Sequence, residues 1–256
     1  MEIGMGIDKI TGPLRELLRE REIIARCELL LRTYDVVRAA KLSDQETMEL
    51  KKMVGGENIA PGIFASIMSK EPVFFDLPRL DTYTQMDGRI FHFLHTKKYS
   101  KQDFADAQAR FLRSLPELKI ILRQSLSDLL KDFMHNAGYS LTAESPFELT
   151  FSTRDHKAKA FVVTSVKAVD IDKCKNEPGL DSIILVPSSE TLEPFVQFFR
   201  EKGQAAEDKG IQIWVTNLEK GTIDPFVGFT TDLDIYNQFD NPRLAEMVRN
   251  NWSKKE

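Results

Sequence analysis

The hydrophobic positions of this chain keep two different periods, and the change comes near Gly138. Before it, apolar residues recur every three or four positions, the spacing of a buried helix face. Leu17, Ile24, Leu31 and Tyr34 form such a stripe, widened by Leu30 and Val37. This predicts one long helix over residues 14–40 that packs on several neighbours. Pro13 suits a first helical position, where its missing N–H breaks no bond. Ser43 and Glu46 have the S-x-x-E spacing of a capping box, predicting a second helix through Met53 that stops at Gly55-Gly56. A short third helix is expected from Pro61 to Ser69. Ser100 is placed to cap a helix over 101–115, and Pro116 to open another that ends before Gly138.

After Gly138 the pattern alternates. SLTAE, FELTFST, KAFVVTSVK, DSIILVPS and IQIWVTNL read as strands. A helix, ETLEPFVQFFREKGQAAEDKG, lies between the last two and predicts a parallel, right-handed crossover. The earlier strands are joined by short turns such as RDHK and are expected to pair antiparallel. A closing helix is expected behind Asn241-Pro242. The fold class that follows is α/β: a helical N-terminal region over 1–119, then a mixed-sheet α/β domain over 120–256.

Between the first helices and Ser100 lies an aromatic stretch, EPVFFDLPRLDTYTQMDGRIFHFLHTKK. VFFDL and RIFHFLH would make a small hairpin about Met86-Asp87-Gly88, and with the helices before it this faintly resembles a winged helix. Only Lys70 supplies a basic group to the segment PGIFASIMSK that would then read DNA. The stretch is therefore read as an irregular connection whose phenylalanines plug the helical core.

Composition narrows the function classes. Hydrophobic residues make up 42% and charged residues 29%, a balance that predicts a packed core rather than a disordered chain. No apolar run reaches the about 18–20 residues that span a bilayer. The N-terminus lacks a basic start followed by an apolar core, so no secretory leader is expected. Cys27 and Cys174 are too few for a disulfide framework or a thiolate zinc site. Both are expected as free thiols in a reducing cytoplasm, Cys27 within the buried stripe and Cys174 in a charged loop. Residues 1–137 carry 21 Lys and Arg against 20 Asp and Glu, whereas residues 138–256 carry 14 against 19. Neither half has the basic excess usual in a nucleic-acid binder.

The candidate chemistry gathers around Ala160–Ala168, AFVVTSVKA. Strand alternation would put Phe161, Val163, Ser165 and Lys167 on one face. A helix ending DLLKDFMHNAGY precedes the strand FELTFST, then AFVVTSVKA, and later KGIQIWV. Over residues 120–228 this order resembles the restriction-endonuclease-like, PD-(D/E)xK, superfamily, its archaeal Holliday-junction-resolvase and Mrr-like branch in particular. The resemblance implies an acidic metal ligand at Glu148 and the superfamily lysine at Lys167, both catalytic. It implies Mg²⁺ as cofactor, with Asp128 or Asp132 on the preceding helix adding an oxygen. A hard cation of this kind needs two or more carboxylate oxygens and keeps several waters. It activates a water and neutralises charge on the scissile phosphate, while the lysine stabilises the transition state. Ser165 departs from the pattern, since the superfamily has Glu or Asp there and a hydroxyl is a poor Mg²⁺ ligand. Asp170, Asp172 and Glu177 are candidates for a migrated carboxylate.

The expectation is a degenerate nuclease-fold module serving in binding or assembly, in DNA or RNA maintenance. An active Mg²⁺-dependent nuclease using Glu148 and Lys167 is the alternative. A third reading is a protein-binding factor with no nucleic-acid role, favoured by the acidic C-terminal half; self-association through sheet edges belongs with it. Other constellations read more simply. His92 and His95, three apart, would fall on opposite faces of a strand, and only Asp87 lies upstream as a carboxylate. Asp224-Pro225 with Asp232 and Asp234 reads as turns capped by aspartates. No G-x-S-x-G, P-loop or dinucleotide fingerprint occurs, so the sequence gives no support to acyl transfer, NTP hydrolysis or Rossmann redox chemistry.

Overall fold

Helix α1 (Ile3–Glu20) begins well before Pro13 and carries it inside, on the exposed side. Its buried stripe is Ile10, Leu14 and Leu18 at helical spacing. The single helix expected through residue 40 is broken. Ile23–Ala25 forms a short strand, β1, before α2 (Arg26–Ala39) resumes the helical run. Cys27 is exposed on α2 rather than part of its buried stripe. Helix α3 (Asp44–Val54) starts as its spacing predicts. Ser43 Oγ accepts from Glu46 N at 3.3 Å and Glu46 Oε2 accepts from Ser43 N at 2.8 Å. It ends on Gly55 in the left-handed region, φ 68°.

Helix α4 (Ile59–Met68) buries Ile59, Ala60, Pro61, Ile63, Phe64 and Ile67. Its close approach to α3 depends on Gly62, where a Cβ would lie 2.4 Å from Val54 Cβ. The aromatic stretch is not an irregular connection. β2 (Asp81–Met86) and β3 (Ile90–His95) form an antiparallel hairpin, and β1 pairs with β3 to give the order β1-β3-β2. The first strand is DTYTQM rather than VFFDL, of which residues 73–76 lie outside the described residues. Helix α4 is spent on the core and carries no Lys or Arg, and Lys70, the basic residue of PGIFASIMSK, lies outside the described residues.

Helix α5 (Lys101–Asn136) is continuous, although Pro116 was expected to open a new helix. Ser100 caps it, its Oγ accepting from Asp103 N at 3.3 Å while Asp103 accepts from Ser100 N at 2.8 Å. Leu112 and Pro116 are both exposed, so the carbonyl that loses its helical partner has water available. The chain forms two compact units, Met1–Leu122 and Arg123–Glu256, whose boundary falls inside α5. The computed structural model describes residues 3–69, 77, 80–86, 90–174, 179–188 and 192–224. Among them no helix is long and apolar enough to cross a membrane.

Gly138, φ 85°, turns the chain out of α5 and into the second unit's sheet. The strands are β4 (Ser140–Glu144), β5 (Glu148–Ser152), β6 (Lys157–Val162), β7 (Leu180–Pro187), β8 (Ile211–Asn217) and β9 (Thr222–Asp224). They lie in sequence order in one mixed six-stranded sheet, and α6 (Leu192–Asp208) joins β7 to β8. The β4–β5, β5–β6 and β8–β9 pairs are antiparallel. The first two of these are the pairs that short turns predict, β7–β8 is parallel, as the intervening helix requires, and β6–β7 is parallel as well. The architecture is thus α/β, a helical N-terminal region followed by a mixed-sheet domain. The closing helix expected behind Pro242 lies outside the described residues.

Register assigns the sheet's two faces. Leu149, Phe151, Ala158, Ala160, Val162, Ile183 and Trp214 share one face, where the Phe133 ring of α5 meets Trp214 edge-on with centroids 5.6 Å apart. On the other face Ile184, Val186, Ile213 and Val215 pack with Phe198 of α6 and with Val166, Val169 and Ile171. That cover reaches β6 at Phe161, which packs against it half-buried. Beyond it the same face continues as Lys157 and Lys159 of β6 and Glu148, Thr150 and Ser152 of β5, exposed or half-exposed.

Candidate functional site

Where the uncovered face meets the connection after β6, the second unit holds a cleft of about 480 Å³. Its charged and aromatic lining is Arg123, Phe147, Glu148, Phe161, Asp170 and Lys173, over an apolar floor that includes Val163 and Ile184. The local folding that makes it is a departure from strand structure. β6 ends at Val162, with a last ladder bond from Val163 N to Leu185 O at 3.0 Å. Ser165 Oγ then accepts from Lys167 N at 3.2 Å and caps a 3-10 helix, Val166–Ala168. Asp170 caps a second, Ile171–Lys173, its Oδ1 accepting from Asp172 N at 3.1 Å. Side chains that compete for backbone N–H groups in this way pull a chain out of a ladder.

This overturns the shared face expected for Phe161, Val163, Ser165 and Lys167. Lys167 is exposed on the 3-10 helix, and its neighbour Ala168, not Lys167 itself, lines the cleft. The lysine beside Glu148 is Lys159, whose Nζ lies 2.8 Å from Glu148 Oε2 and 5.2 Å from the Phe161 ring centroid. In the antiparallel register Glu148 faces Phe161 and Thr150 faces Lys159, so the ion pair is a diagonal contact across one sheet face. Asp128 lies outside the cleft lining. Lys131 sits between it and Glu144, at 3.7 and 2.6 Å. Asp132 is exposed on α5. Glu177 and the cluster after Asp224 lie outside the described residues.

Sequence reading missed Lys159, Arg123, Phe147 and Phe161 as a group. The signal was the alternation itself, read from Lys157 instead of Ala160. Arg123 lies over the Phe147 ring at 4.3 Å, its Nε is buried without a hydrogen-bond partner, and Phe147 is 55% exposed. Cys174 also lines the cleft. Its thiol donates to Asp170 O at 3.7 Å, and burial first, then the nearby Asp170 carboxylate, pushes it up to about 11. A thiol held protonated in this way is a poor nucleophile. His95 is a packing residue, edge-on to Phe104 with centroids 5.7 Å apart.

The donor set does not suit a resident Mg²⁺. Among the described residues Glu148 and Asp170 are the carboxylates that line the cleft; Lys159 pairs with the first, and Lys173, at 3.4 Å, with the second. Among the described residues no group of three or more His, Cys, Asp or Glu side chains gathers as a metal site.

Residues 119–241 match a family described as "Domain of unknown function (DUF6834), C-terminal domain". That span runs from within α5 through the whole described sheet. No curated protein matches the chain.

Proposed function

We propose that the second unit is a non-catalytic module of restriction-endonuclease-like type that works in binding or assembly, in the handling of nucleic acid. The observation that carries this reading is the capture of Glu148 by Lys159 at 2.8 Å. A carboxylate with one oxygen paired to an adjacent ammonium offers less to a hard cation, which takes two or more carboxylate oxygens. Ser165 and Lys167 support the same reading. The hydroxyl is engaged with backbone, and the lysine stands away from Glu148 on a 3-10 helix. The uncovered sheet face and its cleft leave the unit able to hold a ligand without transforming it.

The test is incubation of the full chain with duplex, single-stranded and branched DNA in Mg²⁺ or Mn²⁺. The expected result is no cleavage above a metal-free control. Robust cleavage that Lys167→Ala abolishes would overturn the reading and establish an active nuclease in its place.

A further inference from the structure

We propose that the open β5–β6 face and the cleft at its edge bind a single strand of nucleic acid, bases stacked on Phe147 and Phe161 and phosphates held by Arg123, Lys157 and Lys167. The inference rests on the reading of this unit as a binding module and names its ligand.

Charge on this side of the sheet runs opposite to the rest of the C-terminal half, where residues 138–256 carry 14 Lys and Arg against 19 Asp and Glu. The face and the cleft hold Arg123, Lys157, Lys159 and Lys173 against Glu148 and Asp170, and Lys167 stands on the 3-10 helix whose Ala168 lines the cleft. Lys159 and Lys173 neutralise the two carboxylates. Among the described residues no carboxylate pairs with Arg123, Lys157 or Lys167, so those three are available to phosphate. Phosphate contacts of this kind give sequence-independent affinity that falls with salt.

The aromatic groups decide which polyanion fits. Phe147 is a large apolar side chain left 55% exposed, with a guanidinium already on one side of its ring. Phe161, under Lys159, lines the same cleft as Phe147. Rings alternating with cations on an open sheet stack successive bases while the chain tracks the charges. A duplex keeps its base faces stacked within itself and gains nothing from the rings. An acidic peptide would use the cations and leave the rings idle.

The test is fluorescence anisotropy of the full chain with a dye-labelled oligo(dT) of about 12 nucleotides, within the usual span of one such platform. A duplex of equal length and a polyglutamate peptide serve as competitors. Expected are saturable oligo(dT) binding that weakens as salt rises, poorer competition by both competitors, about tenfold weakening by Phe147→Ala and retention by Phe147→Trp. Arg123→Ala, Lys157→Ala and Lys167→Ala should each flatten the salt dependence. Because Phe147 is exposed, unchanged circular dichroism and melting will show that its variants fold. Absence of oligo(dT) binding at low salt would overturn the inference and leave the non-catalytic reading standing. So would indifference to Phe147→Ala, or equal competition by duplex or polyglutamate, the last pointing to an acidic protein partner. Cleavage of a bound strand in Mg²⁺ would do the reverse, preserving strand binding and removing the non-catalytic reading.

Discussion

Lys159 and Lys167 both belong to the run that alternation marks as a strand, yet only Lys159 shares a face with Glu148. The difference is a hydroxyl. Ser165 satisfies the Lys167 N–H, the chain turns into a 3-10 helix, and the lysine is carried away from the sheet. Alternation in sequence cannot register this, because valine and threonine continue the strand pattern past the last ladder bond. Cys174, a few residues on, makes a residue-scale prediction. Burial raises its thiol to about 11, so the folded state keeps a proton that the unfolded chain loses at the ordinary thiol value, about 8.5. The stability this contributes is complete below about pH 8.5 and declines as pH rises through 11. Desolvation pushes the Cys27 thiol up to about 11 as well, so the two differ in access alone, and alkylation of native protein at pH 8 should label exposed Cys27 faster than buried Cys174, with mass spectrometry of the peptides as the measurement. Denaturant should make the two rates equal. Equal rates in the native protein would refute the burial of Cys174.

Among elements, those fixed by local chemistry were legible and those fixed by a distant partner were not. The capping residues Ser43 and Ser100, the stops at Gly55 and Gly138, and the period-two runs of β4, β5, β7 and β8 all act within a few residues of themselves. β1 is different. Ile23-Ile24 continues a helical stripe in sequence and becomes a strand because β3 is there to pair with it. Pro13 and Pro116 look like helix starts but fall on exposed sides, where water replaces the missing bond. Gly62 is the element-scale position most open to test. A methyl group there would lie 2.4 Å from Val54 Cβ, a backbone-anchored atom that cannot swing aside. Gly62→Ala should destabilise the first unit by about 1–3 kcal/mol, read as a lowered denaturation midpoint, despite alanine's better helix propensity. A midpoint at or above that of the parent would show that α3 and α4 are less closely packed than described.

At the scale of the whole chain, the two units divide inside α5, between Leu122 and Arg123, before the change of period near Gly138, and the family match over 119–241 falls almost wholly on the second. The candidate site was legible there only in outline. Glu148 does line a cleft, but its company, Lys159, Arg123 and Phe147, is set by sheet register and by a cover of that face that ends at Phe161. The central claim is that this cleft holds a neutralised carboxylate rather than a metal ligand. Paramagnetic Mn²⁺ tests it most directly, added to isotope-labelled protein while the amide signals of Glu148, Phe161 and Asp170 are followed. The account predicts no selective broadening of these signals at stoichiometric metal. Selective broadening of all three, removed by Glu148→Gln, would contradict it.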